Sequence, residues 1–297
     1  MNYLKKKYKK KIKKIRSTFL KLYLICSSFF NKGKVYDNGH FIITITSYYK
    51  RFDSIFLVLE SIFIQKCIYK YEVILVISEE DISKYGGYPK KINRYLNRGL
   101  KIKVVSENLN SYKKAFYTYD LGKPLITIDD DVYYPSWWLE RLIKESEAFP
   151  NVVLAYRGHY IIHDNGSFLK YRDWLNKSDA LSFQYPKFSF LPTGSSGVYY
   201  PVGSLIGLAE SKDSFLYLSP SADDLWLKFI TVVNGFKAKR VEKYNVDLLP
   251  LIKASESLHD INVSAGKNDD QFQAILNYSS AFKEALLLDA ELVVRER

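Results

Sequence analysis

Four short, β-branched apolar runs constrain this 297-residue chain more than any other feature. They are residues 41–46 (FIITIT), 72–78 (EVILVIS), 101–106 (KIKVVS) and 124–128 (PLITI). Continuous apolar runs of that length read as strands buried on both faces. Between the first two, residues 53–65 set Ile55, Leu57, Val58, Leu59, Ile62 and Phe63 at helical spacing. Residues 81–96, broken by Gly86, Gly87 and Pro89, and residues 111–119 supply helix-prone connections to the next two strands. Strands alternating with helices predict a mostly parallel sheet with helices on both faces, so the expected fold class is α/β and Rossmann-like.

After residue 150 the alternation weakens. Residues 152–156 read as a strand and residues 222–233 and 269–288 as helices. Residues 157–192 are rich in Tyr, Phe, Trp and Asn and show no period, as functional loops or insertions do. Trp137, Trp138, Trp174 and Trp226 are assigned to packing, the usual use of that side chain.

Charge is distributed unevenly. The chain carries 44 Lys plus Arg against 32 Asp plus Glu, a formal +12, and has no acidic residue before Asp37. Residues 5–16 hold eight Lys and Arg16; without those nine, 35 basic face 32 acidic residues, about +3. Tyr3, Leu4, Tyr8, Ile12 and Ile15 recur among the lysines at spacings of three to four, which predicts a basic amphipathic helix within residues 1–33. Residues 17–30 are apolar, but Lys21 interrupts them and they fall short of the roughly 20 residues of a spanning helix. A secretion signal fits poorly, because the basic region is too long and no small-residue cleavage site follows.

Nine basic groups beside an apolar face suit an anionic membrane surface, each contributing on the order of 1 kcal/mol near the lipid. The near-neutral body offers no second basic stripe and no DNA- or RNA-binding signature, so nucleic acid is not expected as a partner. Two cysteines, Cys26 and Cys67, make no disulfide framework, and the natural reading is a reducing compartment. The expected location is peripheral, on the cytoplasmic face of the cell membrane.

Residues 129–131, three aspartates at the carboxyl end of the fourth strand, carry the clearest chemistry. Ligands of doubly wound sheets bind at that end. Strand alternation sends Asp129 and Asp131 to one side and Asp130 to the other. Two such carboxylates suit Mn²⁺ or Mg²⁺, which also takes phosphate oxygens; the alternative is that they end the strand and cap the helix starting near Pro135. A second pair, Asp223 and Asp224, opens an apolar helix, where it serves either as a base or as a favourable charge at the helix start. Between them lies residues 193–197 (TGSSG), a small-residue turn without the spacing of a phosphate-binding P-loop.

Six pieces occur in order: ITSYYKR at 45–51, EVILVISEED at 72–81, TIDDDVYYP at 127–135, PTGSSGVYYP at 192–201, SADDLWLK at 221–228 and KNDD at 267–270. In that order they resemble bacterial polysaccharide-type glycosyltransferases of the GT-A fold, family 2-like, across about residues 41–278. The resemblance implies a domain over 40–290, with a nucleotide-binding half at 40–150 and an acceptor-binding half at 151–290. It implies metal-dependent transfer of a sugar from a nucleotide-diphosphate-sugar to a hydroxyl of a surface glycan or glycolipid.

Carried over residue by residue, the resemblance puts Thr46, Ser47 and Arg51 in the nucleotide pocket, with Arg51 either on a phosphate or solvated at the surface. Asp129 would face the nucleoside, Asp131 would be the main metal ligand, and Asp130 would assist either role. Lys114, with Lys113, is a diphosphate or base contact or else part of an exposed helix face. Asp224, then Asp223, would take the proton of the acceptor hydroxyl. His259 is either a further metal ligand or a packing residue, and Asn268 and Asp269 either close over the donor or cap the last helix. Val198, Tyr199 and Tyr200 would form an aromatic wall. The rival readings are a nucleotidyltransferase, disfavoured because ITSYYKR lacks glycine, and an inactive membrane-bound glycan-binding scaffold.

Overall fold

In the computed structural model, which describes residues 2–178, 184–252 and 266–295, the four apolar runs are adjacent strands. They are β1 (Phe41–Thr46), β2 (Tyr71–Ser78), β3 (Leu100–Val105) and β4 (Leu125–Ile128). A helix α1 (Asn2–Phe30) precedes them, and α2 (Ile55–Phe63), α3 (Glu79–Tyr85), α4 (Asn93–Leu96) and α5 (Lys113–Phe116) connect them. The second half contributes α6 (Trp138–Ala148), β5 (Val153–Ala155), β6 (Gly158–Tyr160), β7 (His163–Asp164), β8 (Ser167–Phe168) and α7 (Tyr171–Ser178). It continues with β9 (Phe190–Pro192), β10 (Val198–Tyr200), α8 (Lys212–Leu218), α9 (Asp223–Val233), β11 (Ala238–Arg240), α10 (Lys267–Tyr278) and α11 (Ser280–Arg295).

One seven-stranded sheet has the order β11-β5-β10-β4-β1-β2-β3. Every neighbouring pair is parallel except those made by β10, which runs antiparallel between β4 and β5. The pleat sends Ile43, Ile45, Val73, Leu75 and Ile77 to one face, under α2 and α6. Ile42, Ile74 and Val76 go to the other, under the later helices α8 to α11. Because both faces are covered, β1, β2 and β4 read as nearly continuous apolar runs. At the sheet edge, β3 is partly exposed and sets Lys101 and Lys103 among its apolar residues.

The strand β10 corrects the expected aromatic wall. Tyr199 and Tyr200 are buried inside the sheet, with Tyr199 opposite Ile126 and Tyr200 opposite Leu125. The aperiodic stretch before it also has structure: β6 and β9 pair antiparallel and β7 pairs with β8. Trp138, Trp174 and Trp226 are fully buried, as their assignment to packing requires.

The helix α1 runs unbroken through the expected apolar stretch. Its C-terminal half packs on α2, with Leu24 fully buried. The fastening is polar as well. Glu60 of α2, without solvent contact, accepts from Ser27 Oγ at 2.6 Å, Asn31 Nδ2 at 3.0 Å, Tyr95 OH at 3.0 Å and Arg98 Nη1 at 2.8 Å. A buried carboxylate is tolerated only with such partners, and here they join α1, the following segment, α4 and the turn into β3. The segment after α1 is held too: Val35 N donates to Arg98 O and Tyr36 N to Tyr71 O.

Candidate active site

The site is built where β1 and β4 end. Beyond Ile128 the strand gives way to a turn, and the expected alternation of the three aspartates stops with it. Asp130 and Asp131 both meet Arg51, whereas Asp129 faces Lys114, so the pairing of Asp129 with Asp131 on one side is corrected. Ser47 Oγ donates to Asp130 Oδ2 at 2.5 Å, and Arg51 Nη1 donates to Asp130 Oδ1. Arg51 Nη2 lies 3.1 Å from Asp131 Oδ2. Arg51 is therefore paired with carboxylates, which corrects the alternative of an arginine solvated at the surface. Neither does the triplet cap α6, whose N-cap position is Trp137.

Burial raises the Asp130 carboxyl despite Arg51 and Ser47. The Asp131 carboxyl is pushed up to about 6, by burial first and then by Asp129, against the pull of Arg51. A carboxylate so placed gains from a cation, because added positive charge offsets both causes. Asp131 keeps 26% of its side chain exposed and Asp129 31%, leaving oxygen open to a ligand. No group of three or more His, Cys, Asp or Glu suited to a metal ion occurs among the described residues. Two carboxylate donors still fit a hard divalent cation that completes its shell with water and phosphate oxygens.

Lys114 is the hub on the opposite side. Thr44 Oγ1 in the middle of β1 donates to Lys114 O at 2.8 Å, pinning the one-turn helix α5 to the sheet. The Lys114 side chain is buried there, with Nζ 2.7 Å from Asp129 Oδ1 and 3.4 Å from Asp223 Oδ2. The second contact is within ion-pair reach but lacks hydrogen-bond geometry, so buried Asp223 Oδ2 has no hydrogen-bond donor. Burial disfavours the ammonium, but Asp129, Asp223 and Asp224 together overcome it and hold the Lys114 proton well above its ordinary range. Lys113 is buried as well, 3.0 Å from Asp81 Oδ2, and the reading of both lysines as an exposed helix face is overturned.

Asp223 and Asp224 begin α9, but neither is its cap; that position is Ala222. Their charge suits the helix start, and their side chains serve the cluster. The Gly194 amide donates to both Asp224 oxygens, at 3.1 and 3.2 Å. A Cβ on Gly194 would stand 3.2 Å from Lys114 Nζ and 3.4 Å from Asp129 Oδ1 and Asp224 Oδ1. The small-residue turn thus lets backbone sit at the centre of the charged cluster. Gly197, at φ 85°, closes the turn against Trp138, where a Cβ would come within 2.4 Å of the ring. The Asp224 carboxyl is raised well above the ordinary carboxylate range, by burial and then by Asp223, with Lys114 opposing.

Two other expected residues have different employment. Thr46 Oγ1 donates to Val76 O at 2.9 Å within the sheet. Asp269 accepts from Tyr171 N at 2.7 Å, joining α10 to α7. His259 lies outside the described residues. The sequence reading missed Tyr134, whose buried hydroxyl accepts from Asp129 N at 2.9 Å. It also left Asp81 aside, a buried acceptor from Lys113 Nζ and from Ser78 Oγ at 2.6 Å. The one available signal was position: Asp81 follows β2 as the triplet follows β4.

The strand order, the antiparallel β10 and the acidic turn after β4 define a GT-A-like α/β fold. A solved structure with this fold is the mannosyltransferase PcManGT from Pyrobaculum calidifontis in complex with GDP-Man and Mn²⁺. The two are 14% identical, with a TM-score of 0.50 over 95% of this chain and 79% of that one. S. aureus TarS 1–349 aligns at 15% identity and a TM-score of 0.43 over 69% of this chain. The match spans 58% of that TarS chain, and its complex with UDP-GlcNAc aligns at 16% identity and a TM-score of 0.43, over 73% of this chain and 60% of that one. No protein-family model and no curated protein matches the sequence.

Proposed function

We propose that this chain is a glycosyltransferase that moves a sugar from a nucleotide-diphosphate-sugar to a hydroxyl of a glycan or glycolipid. The observation that carries the reading is the convergence, around the Gly194 backbone, of two carboxylate sets with different surroundings. Asp129 and Asp131 lie at the end of β4, and Asp223 and Asp224 at the start of α9, with the Lys114 ammonium between them. The fold shared with a mannosyltransferase solved with GDP-Man and Mn²⁺ supports the same reading.

Asp131, with Asp129, would hold Mn²⁺ or Mg²⁺, which supplies neutralisation of the charge that gathers on a departing diphosphate. Arg51 and Ser47 fix Asp130, and through it the turn that presents Asp131. Lys114 orients Asp129 through their 2.7 Å contact. Asp224, aligned by the Gly194 amide, accepts the acceptor hydroxyl's proton if the transfer inverts the anomeric centre; its raised proton affinity suits that task near neutral pH. Asp223, 3.4 Å from Lys114 Nζ, stands beside it as the neighbouring carboxylate that raises its proton affinity.

The test is release of nucleoside diphosphate from a panel of sugar nucleotides with Mn²⁺ and a glycan or lipid-linked acceptor. Nucleoside diphosphate that disappears in Asp131→Asn supports the proposal. Pyrophosphate as product indicates nucleotidyl transfer instead, and neither turnover nor binding of any donor indicates a scaffold.

A further inference from the structure

We infer that α1 is an in-plane membrane-docking helix, rigidly fastened to the domain on one face and offering the opposite face to an anionic lipid surface. At 100° per residue, Ser17, Leu20, Leu24, Ser27 and Ser28 share one side of the helix. That side is taken by the protein: Leu24 and Ser28 are buried, Ser27 reaches Glu60, and Ser17 Oγ donates to Pro250 O at 2.7 Å.

Diametrically opposite runs a line of exposed apolar residues, Tyr8, Ile12, Ile15, Phe19, Leu22 and Phe29, with Lys11 at its edge. Phe19 is 70% exposed, Leu22 55% and Phe29 69%. A stripe of this size has no reason to face water on a helix whose other side already packs the core. Lys14 and Lys21 flank it on one side and Arg16 on the other, where their stems lie along apolar surface and their charges reach headgroups.

Charge selects the occupant. A second copy of the chain would bring another nine basic residues of positions 5–16 against the first nine, with no acidic residue before Asp37 to compensate. An anionic lipid surface meets the same charges with attraction. No helix among the described residues is long and apolar enough to cross a membrane, so α1 lies along the interface.

The docking also fixes where the candidate site stands. Pro250, bound by Ser17, belongs to a segment whose Leu251 N donates to Asp131 O at 2.7 Å and whose Leu249 O accepts from Tyr133 N at 2.9 Å. The helix on the lipid and the turn bearing Asp131 are therefore two hydrogen-bonded steps apart.

The experiment is flotation of the full chain with phosphatidylcholine vesicles, with and without phosphatidylglycerol, together with sedimentation velocity. The comparison is Phe19→Ser/Leu22→Ser/Phe29→Ser. Of the three, only Phe29 has a ring contact with the described residues of the domain, its face under the Arg94 guanidinium of α4, and an unchanged melting temperature certifies the fold. The expected result is binding of a monomer to anionic vesicles, weakened at least about tenfold by the triple substitution and likewise by omission of phosphatidylglycerol. No binding to anionic vesicles, or binding indifferent to the substitutions, overturns the inference. So does a dimer that the substitutions dissolve, since the stripe would then be a protein interface. None of these readouts depends on sugar transfer.

Discussion

Lys114 Nζ stands 2.7 Å from Asp129 Oδ1, and this buried ion pair ties the acidic turn after β4 to the acidic start of α9. Removing the ammonium leaves three carboxylates facing one another. Lys114→Met should cost roughly 3 kcal/mol, toward the lower edge for a broken buried pair because Asp129 remains partly solvated. Transfer activity should fall with it. Chemical denaturation measures the first effect, and wild-type stability in Lys114→Met would show that the pair is not the hub described.

Asp131→Asn keeps the shape of the turn and removes one charge. In wild-type protein Mn²⁺ with a nucleoside diphosphate should raise the melting temperature by several degrees, since a ligand of the folded state stabilises it by mass action. The variant should melt normally when unliganded and lose that rise. A persisting metal-dependent shift would place the cation elsewhere.

Asp224→Asn should lower kcat by about 10²- to 10⁴-fold with the donor KM little changed, the usual contribution of a positioned base. The base must be ionised to work, and burial and Asp223 push the Asp224 carboxyl up to about 7. Activity should therefore fall as pH drops through about 7, instead of near the ordinary aspartate value of about 3.9. The residual activity of the variant should lack that acid limb; an identical limb in both proteins would assign it to another group.

Lys228 of α9 tests the core. It is buried without a hydrogen-bond partner, and burial pushes its ammonium down to about 7, with Asp289 opposing. From about pH 7 to the unfolded lysine value of about 10.4, the unfolded chain binds a proton that the folded chain lacks. Stability should rise with pH across that window, and the penalty should be complete below it. Lys228→Met should gain about 1–4 kcal/mol at pH 7 and flatten the slope up to pH 9. Urea melts at the two pH values decide, and a less stable variant would mean that the ammonium has a structural task.

The strands β1, β2 and β4 were legible because burial on both faces writes itself as β-branched runs, and the partly exposed edge strand β3 because its apolar residues are mostly β-branched too. Their bounds agree with the expected ones to within a residue. The strand β10 was not legible: three residues with two tyrosines look like a surface wall until β4 and β5 are seen to close on them. Among site residues, the two acidic clusters announced themselves by charge at the ends of apolar elements. Their relation to Lys114 did not, because burial of a lysine on a one-turn helix depends on Thr44, 70 residues away. Arg51 read as a surface or phosphate group for the same reason, since Asp130 and Asp131 reach it only through folding.

By itself, the sequence determined the α/β layering, the acidic strand end and a cationic, amphipathic beginning, since each follows from local periodicity and charge. Tertiary structure decided which carboxylate meets which cation, which glycine makes room for them, and which face of α1 the domain occupies. Those outcomes depend on contacts between residues distant in the chain, and no local pattern encodes the low-dielectric surroundings that give a buried charge its partner.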